Sequence, residues 1–308
     1  VRRVERIKYV LDNWGLRKIV PHLLKSVGGF SALRLFSKWE DYYLHVLVKS
    51  MLQCMECERP PTSFAKIALE LARRRRILDG CQLKAVQPPK RPYPQLLESY
   101  FHMLEDVLIS RACGLAAKPL EDVIPDEEAR ALYQLFVSSD WYSALRTAIH
   151  AGVGTPRRGR ALLIGAGTQE PLDYIKACQV LNARCDFAAL EVDEEIYRDL
   201  EKLAAKHGFT AYLGWDSVRE TFDVAVATNV LNWATDPSDV FAKARRVAKM
   251  LLVTQGVIEG MSILFLLTVA LRAQRPVSWY EVEGLARQAG WRLEERYAKY
   301  PVYIALFR

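Results

Sequence analysis

The chain has 308 residues, is 51% hydrophobic and 26% charged, and carries a formal net charge of +7. That mix excludes a disordered tail or a fibre, and six cysteines in so long a chain are not a disulfide framework. The longest apolar run, residues 261–271, falls short of the roughly 20 residues a membrane span requires and reads as a buried helix.

At roughly 100–200 residues per domain, two domains are expected. The opening residues Val1, Arg2, Arg3, Val4, Glu5 and Arg6 are charged and helix-like, without the apolar core of a signal peptide, so a cytoplasmic location is the expectation. Arginine outnumbers lysine 28 to 15 and only four asparagines occur, a usage that fits a thermophile. The basic balance permits an anionic partner, and Arg73-Arg74-Arg75-Arg76 is the place to seek one, although such runs are usually solvated helix ends.

Residues 1–150 read as helix. Val4, Ile7, Val10 and Leu11 recur at helical spacing, as do Leu44, Leu47, Val48, Met51 and Leu52. Pro60-Pro61 interrupts the pattern, and Thr62 or Ser63 can cap a helix over 64–75. A proline-rich turn over 88–94 precedes a helix from Gln95 to about Cys113, and 127–149 reads as one long amphipathic helix. Helices divided by proline turns make an all-α or winged-helix module. Cys54 and Cys57 have the spacing of a metal or redox pair, but no second close pair accompanies them, so no metal is expected. A disulfide of Cys178 with Cys185 is the alternative to plain packing of the thiols.

The small, polar stretch 152–159 reads as the linker to a second domain over 158–308. There the pattern changes. Short apolar runs at 161–164, 187–191, 211–213, 224–227 and 250–253 alternate with helices near 172–181, 195–207 and 237–248. This alternation predicts a parallel sheet covered on both faces, an α/β fold. Residues 292–298 and 302–307 flank Tyr300-Pro301 and read as an antiparallel pair.

The first strand runs into Gly165-Ala166-Gly167-Thr168 and a helix, where glycines admit close backbone approach and a helix N-terminus favours an anion. The second strand ends in Glu191, 24 residues beyond Gly167, where a carboxylate can accept from both hydroxyls of a ribose. The third strand leads to Gly214-Trp215-Asp216, and the fourth runs from Phe222-Asp223 to Thr228-Asn229. All four strand ends lie on the carboxyl edge, where open α/β sheets bind ligands.

In this order and spacing the sequence resembles the class I S-adenosylmethionine-dependent methyltransferases over residues 158–308. Within them it is most similar to small-molecule O-methyltransferases with an N-terminal helical domain. The resemblance implies a Rossmann-like seven-stranded sheet, mostly parallel with an antiparallel C-terminal strand, and S-adenosylmethionine as cofactor. Gly165, Ala166, Gly167 and Thr168 then match the glycine motif at the methionine end of the cofactor, and Glu191 with Val192 the acidic ribose motif. Asp216 and Ser217 match the adenine motif, and Asn229 belongs to the fourth-strand motif near the transferred methyl.

The sequence also departs from the family. Leu163 stands where an acidic residue is usual and Gln169 where a third glycine often sits, which leaves Glu170 and the helix start to serve the methionine amine. The histidine that follows the fourth strand in the O-methyltransferases is replaced by Leu231-Asn232-Trp233, so methyl transfer by alignment of nucleophile, methyl and sulfur is the expected mechanism. Asp236 and His150 are the candidate bases, weighed against helix capping for Asp236 and a helix C-terminal cation for His150. Trp233, Trp141 and Tyr142, with the 261–271 helix, are candidate walls for a small-molecule acceptor. The N-terminal helices are a candidate lid and homodimer surface. Three alternatives stand beside this reading: an RNA methyltransferase with a basic N-terminal domain, an aminopropyl or aminocarboxypropyl transferase, and a non-catalytic cofactor-binding partner protein.

Overall fold

The computed structural model describes residues 11–116, 126–154, 159–259, 276–300 and 302–308. The expectations for residues 1–10, including the helical spacing of Val4, Ile7 and Val10, and for the 261–271 helix lie outside the described residues. The chain divides into two units: one of Val1–Leu23, Ser143–Gly260 and Val277–Arg308, the other of Leu24–Tyr142 and Met261–Pro276.

In the helical unit, α1 (Val20–Val27) leads from the first unit into α2 (Phe30–Met51) and α3 (Ser63–Arg74). The expected cap of α3 is Thr62, whose side chain accepts from Ala65 N at 3.1 Å. A two-residue ladder, β1 (Leu78–Asp79) with β2 (Gln82–Leu83), comes next. α4 (Glu98–Met103) passes through a π-helical turn at Leu104–Ile109 into α5 (Ser110–Ala116). The unit's core is aromatic: Phe36, Tyr43, Tyr100 and Phe101 are buried, and Trp39 stacks on Tyr43 with ring centroids 5.6 Å apart. One ion pair is buried inside it, Glu40 with Arg75 at 3.0 Å, and Tyr100 donates to the same carboxylate at 2.8 Å. Burial drives the Glu40 carboxyl above the usual range, and Arg75 opposes that shift.

The single helix expected over 127–149 is two, α6 (Asp126–Ser138) and α7 (Asp140–Ile149). Ser139 is the reason. Its hydroxyl donates to Phe136 O at 2.8 Å and accepts from Tyr142 N at 3.4 Å, so it competes with the helical ladder of α6 and caps α7. The expected linker also differs. His150–Gly154 is a buried π-helical turn continuing α7, and a Cβ on Gly152 would stand 2.7 Å from Lys18 O. Gly152 has no room for a side chain because the backbone at 18–19 packs on it, so the described start of the expected linker, residues 152–154, belongs to the sheet unit. Residues 11–23 return to that unit as well, and the boundary falls near 142–143 instead of 150–158.

The sheet unit alternates β3 (Ala161–Ile164), α8 (Glu170–Leu181), β4 (Phe187–Glu191), α9 (Glu194–His207) and β5 (Thr210–Leu213). Then come β6 (Phe222–Thr228), α10 (Pro237–Val247), β7 (Ala248–Gly256), α11 (Trp279–Gln288), β8 (Leu293–Ala298) and β9 (Val302–Phe307). The strand order is β5-β4-β3-β6-β7-β9-β8, parallel except for β9, which is antiparallel to both β7 and β8. The chain winds outward from β3 through β4 to β5, then returns to build the other half from β6, which makes the crevice between β3 and β6 the switch point.

Alternate residues of each strand feed opposite cores. Leu162, Ile164, Ala225 and Leu251 pack with Phe241 of α10 and Val282 of α11, while Leu163, Val224 and Leu252 pack with Tyr174 of α8 and Leu200 of α9. Burial on both faces explains why these strands are apolar runs and not alternating patterns.

Two disulfides are present, Cys57–Cys81 and Cys178–Cys185. Cys57 therefore pairs with the β1–β2 turn and not with Cys54, because Cys54 lies at the end of α2 with its thiol on Met51 O. Cys178–Cys185 closes the turn from α8 into β4, and the described residues hold no cluster suited to a metal ion. No helix among the described residues is long and apolar enough to cross a membrane.

Candidate active site

The site is assembled from the carboxyl ends of β3, β4, β5 and β6. After β3 the chain must turn sharply into α8, and Gly165 and Gly167 take φ values of +58° and +53°, which side chains rarely adopt. At Gly165 space is short as well, since a Cβ would lie 3.1 Å from Val230, whereas nothing stands within 4 Å at Gly167. The loop is thus pressed against the segment after β6 on one side and open on the other. Ala166 is buried and donates from its backbone to Leu190 O at 3.2 Å, and Thr168 is half-buried.

Glu191 ends β4 and is 6% exposed. Its Oε2 accepts from Gly167 N at 3.1 Å, and its Oε1 accepts from Val192 N at 2.8 Å and Asp193 N at 3.2 Å. Burial raises its pKa above the ordinary glutamate value, and the three backbone N–H groups pull the other way. The carboxylate joins two strand ends and is held in one orientation. Val192, the next residue, is 64% exposed, and Asp193 caps α9 by accepting from Glu195 N at 3.0 Å. Glu194 and Glu195 occupy the first turn of that helix, where they suit its dipole.

Gly214 N donates to Glu191 O at 2.8 Å, tying the end of β5 to that of β4. The 3₁₀ turn Trp215–Ser217 then presents Asp216 to solvent, without a hydrogen-bond partner among the described residues, while Ser217 Oγ donates to Gly214 O at 2.8 Å. At the end of β6, Asn229 takes φ +55°, donates from its backbone to Thr254 O at 2.7 Å, and accepts from Gly256 N at 2.6 Å through its side chain. That side-chain oxygen pins the ends of β6 and β7 together. Trp233 comes four residues later, half-buried, in a turn closed by its backbone bond to Val230 O at 3.0 Å.

The remaining candidates are engaged as follows. Asp236 caps α10, its Oδ1 accepting from Ser238 N at 2.8 Å and Ser238 Oγ at 2.6 Å. Those bonds hold its pKa below the ordinary aspartate value, the setting of a cap and a poor one for a base. His150 is 1% exposed, with Nε2 3.1 Å from Glu170 Oε1. Trp141 stacks on Phe36 at 4.6 Å and Tyr142 on Phe136 at 4.4 Å, all within the helical unit. Three of the four arginines in the run are engaged internally: Arg73 donates to Gly80 O, Arg74 to Glu70, and Arg75 to Glu40 and Asp41.

One group has almost no signature in the sequence. Asp173, 0% exposed, accepts from Ser143 Oγ at 2.5 Å and Arg146 Nε at 2.8 Å, locking the end of α7 onto α8. Its only trace is the spacing of three from Glu170, too common on helices to stand out.

No protein-family model and no curated protein matches the sequence. Solved structures do match it. The CMeT domain of the citrinin polyketide synthase aligns at TM-score 0.61 and 12% identity, over 97% of this chain and 96% of that one. The CurJ carbon methyltransferase aligns at 0.57 and 15%, over 96% and 98%. An O-methyltransferase family 2 protein from Planctomyces limnophilus DSM 3776, solved in complex with apigenin, aligns at 0.54 and 14%, over 90% and 95%. The fold is that of the class I methyltransferases. In this methyltransferase fold the glycine loop, Glu191 and Asp216 occupy the carboxyl ends of β3, β4 and β5, in the order that the sequence motifs imply.

Proposed function

We propose that the protein is an S-adenosylmethionine-dependent methyltransferase acting on a small-molecule acceptor, with rate enhancement coming mainly from alignment. The observation that carries this reading is the clamped carboxylate of Glu191, immobilised by Gly167, Val192 and Asp193 at the open side of the glycine loop. A carboxylate has about four lone-pair directions, so with three spent on backbone it keeps one, on Oε2, for a ribose hydroxyl and needs no reorganisation to accept it.

The residues present suit the cofactor. The open face at Gly167 leaves room for close backbone approach, Asp216 offers an unshared carboxylate for an exocyclic amine, and Val192 offers an exposed apolar edge for a base. When bound, S-adenosylmethionine supplies a methyl group already activated on a sulfonium. The chain's part is to orient the ends of that molecule and to exclude water. Asn229 holds the segment that faces the glycine loop, and the Val230 contact fixes the gap between them. After β6 the only polar side chain in the Leu231-Asn232-Trp233 stretch apart from the indole is Asn232, and its Oδ1 accepts from Val277 N at 3.2 Å. With no base in that stretch, the acceptors that fit are those already nucleophilic: a carboxylate, a thiolate, an amine or a stabilised carbanion.

Calorimetric titration with S-adenosylhomocysteine tests the reading. Micromolar binding that weakens at least tenfold in Glu191→Ala is the expected result, and no heat from the wild-type protein would refute it. Tighter binding of methylthioadenosine than of S-adenosylhomocysteine would redirect the assignment to aminopropyl-type transfer.

A further inference from the structure

Four of the six cysteines are joined in disulfides, Cys57–Cys81 and Cys178–Cys185, and two remain as thiols, Cys54 and Cys113. The fold brings these two together. Cys113 of α5 donates through Sγ to Ser50 O at 3.0 Å, across a sequence separation of 63. Cys54, in the turn that follows α2, reaches the same oxygen at 3.5 Å and Met51 O at 3.3 Å. Its thiol is also hydrogen-bonded to that of Cys113, and burial together with this contact raises its pKa to about 11. Both residues are half-buried, so a small reagent can reach them.

Neither thiol is well used where it stands. A thiol is a weak donor, and Ser50 O already accepts from Gln53 N at 3.2 Å. The pair also lacks the further ligands of a metal centre, since no group of three or more suitable side chains occurs among the described residues. Two sulfurs that share an oxygen can instead share a bond. The existing disulfides close separations of 24 and 7 residues. A bond from Cys54 to Cys113 would close a longer one than either, which removes more entropy from the unfolded chain.

We infer that Cys54 and Cys113 are the site of a third disulfide, a two-electron redox couple whose oxidised form ties α5 to the end of α2 and leaves no free thiol in the chain. The inference stands apart from the methyltransferase reading. The oxidant is a small-molecule disulfide of the glutathione class. The Cys54 thiolate attacks one of its sulfurs, forming a mixed disulfide and expelling one thiolate, which takes up the proton that Cys54 lost. The Cys113 thiolate then attacks the Cys54 sulfur, forming the protein disulfide and expelling the second small thiol with the proton from Cys113. Two electrons and two protons thus pass from the protein pair to the oxidant. The raised pKa makes the first attack slow at neutral pH, so the exchange runs faster in mildly alkaline buffer.

The test incubates the full chain with oxidised glutathione in such a buffer, counts thiols after unfolding, and maps cross-linked peptides by mass spectrometry without reduction. The thiol count is expected to fall from two to zero, with the Cys54 and Cys113 peptides joined and no glutathione retained. A chain isolated with that cross-link already formed gives the same support. The melting temperature should rise by about 10 °C on oxidation, the scale set by a ring of this length in a chain of this size. Cys54→Ser and Cys113→Ser should each hold one glutathione on the remaining cysteine, because the second attack has lost its partner, and should show no such rise. Two thiols that persist through the treatment overturn the inference. So do two retained glutathiones per chain, or a cross-link from Cys54 or Cys113 to Cys57 or Cys81. The thiol count and peptide map of the wild-type protein decide the question even if a serine variant does not fold.

Discussion

Glu191 carries two opposing demands, because it must be ionised to accept from ribose hydroxyls and it sits where burial disfavours ionisation. Its folded pKa is raised, so the unliganded fold gains stability as pH falls towards that value and loses it as pH rises through it. Ligand affinity has the opposite sign. Binding of S-adenosylhomocysteine should weaken on acidification with a midpoint above 4.5, the ordinary glutamate value, and Glu191→Gln should abolish that acid limb in a calorimetric pH series. Asp223 works the other way. The Lys249 ammonium at 2.8 Å and the Arg160 backbone N–H lower its pKa, so its contribution to stability is present at neutral pH and lost only in stronger acid. The two loop glycines should also separate. Gly167→Ala meets only backbone strain, about 1–2 kcal/mol, whereas Gly165→Ala adds the 3.1 Å collision with Val230. Thermal melts should therefore rank Gly165→Ala as the more destabilising, whereas Gly167→Ala, whose Cβ would enter the open face left for the cofactor, should show the larger loss of ligand affinity. At this scale the sequence was legible where a residue type has few uses. Gly165, Gly167 and Glu191 were readable because a left-handed turn and a strand-end carboxylate are rare demands. Asp236 and Asn229 were ambiguous, since capping and strand-tying use the same side chains as catalysis.

Elements followed from periodicity wherever both faces of a strand are buried, and failed where a single side chain intervenes. Nothing in the apolar spacing of 127–149 signals a break, because the break is one hydroxyl bonding to the backbone at Ser139. The pairing of Cys57 with Cys81 was equally hidden, since spacing pointed to Cys54 and only the fold brings the β1–β2 turn to Cys57. Cys178–Cys185 closes a separation of 7 residues at the entry to β4, next to the strands that carry the site. Loop-closure entropy for so short a ring is worth about 2–3 kcal/mol. Replacing both cysteines by serine should lower stability by about that amount in denaturant titrations, with ligand affinity unchanged in the folded protein.

At the scale of the whole molecule, the sheet unit is discontinuous in sequence. Asn13, 6% exposed, accepts from Lys299 N at 3.0 Å and Tyr300 N at 3.3 Å through its side chain, and Lys18 pairs with Glu295 of β8 at 2.8 Å. Residues near the start of the chain thus satisfy backbone donors of the C-terminal hairpin and cover its edge strand, which would otherwise invite association. From the other side, Ser143 and Arg146 bind Asp173 of α8. A fragment of residues 158–308, the domain as sequence patterning bounds it, would leave a buried aspartate without its guanidinium. It should be less stable than the full chain and prone to aggregate. A melting temperature equal to that of the full chain would contradict the discontinuous unit.

Sequence alone determined the strand–helix alternation, the parallel sheet with its antiparallel end, and the order of the glycine loop, Glu191 and Asp216 along one edge. Those features are written in local chemistry: buried strands need continuous apolar runs, and tight turns need glycine. Only the tertiary structure decided that residues 11–23 and 143–154 belong with the sheet, that Cys57 pairs with Cys81, and that Glu170 faces Thr228 and His150 across the switch point. Each of those contacts joins residues about 20 or more apart. A buried charge or hydroxyl is satisfied by whatever the fold brings within about 3 Å, and no local pattern encodes that partner.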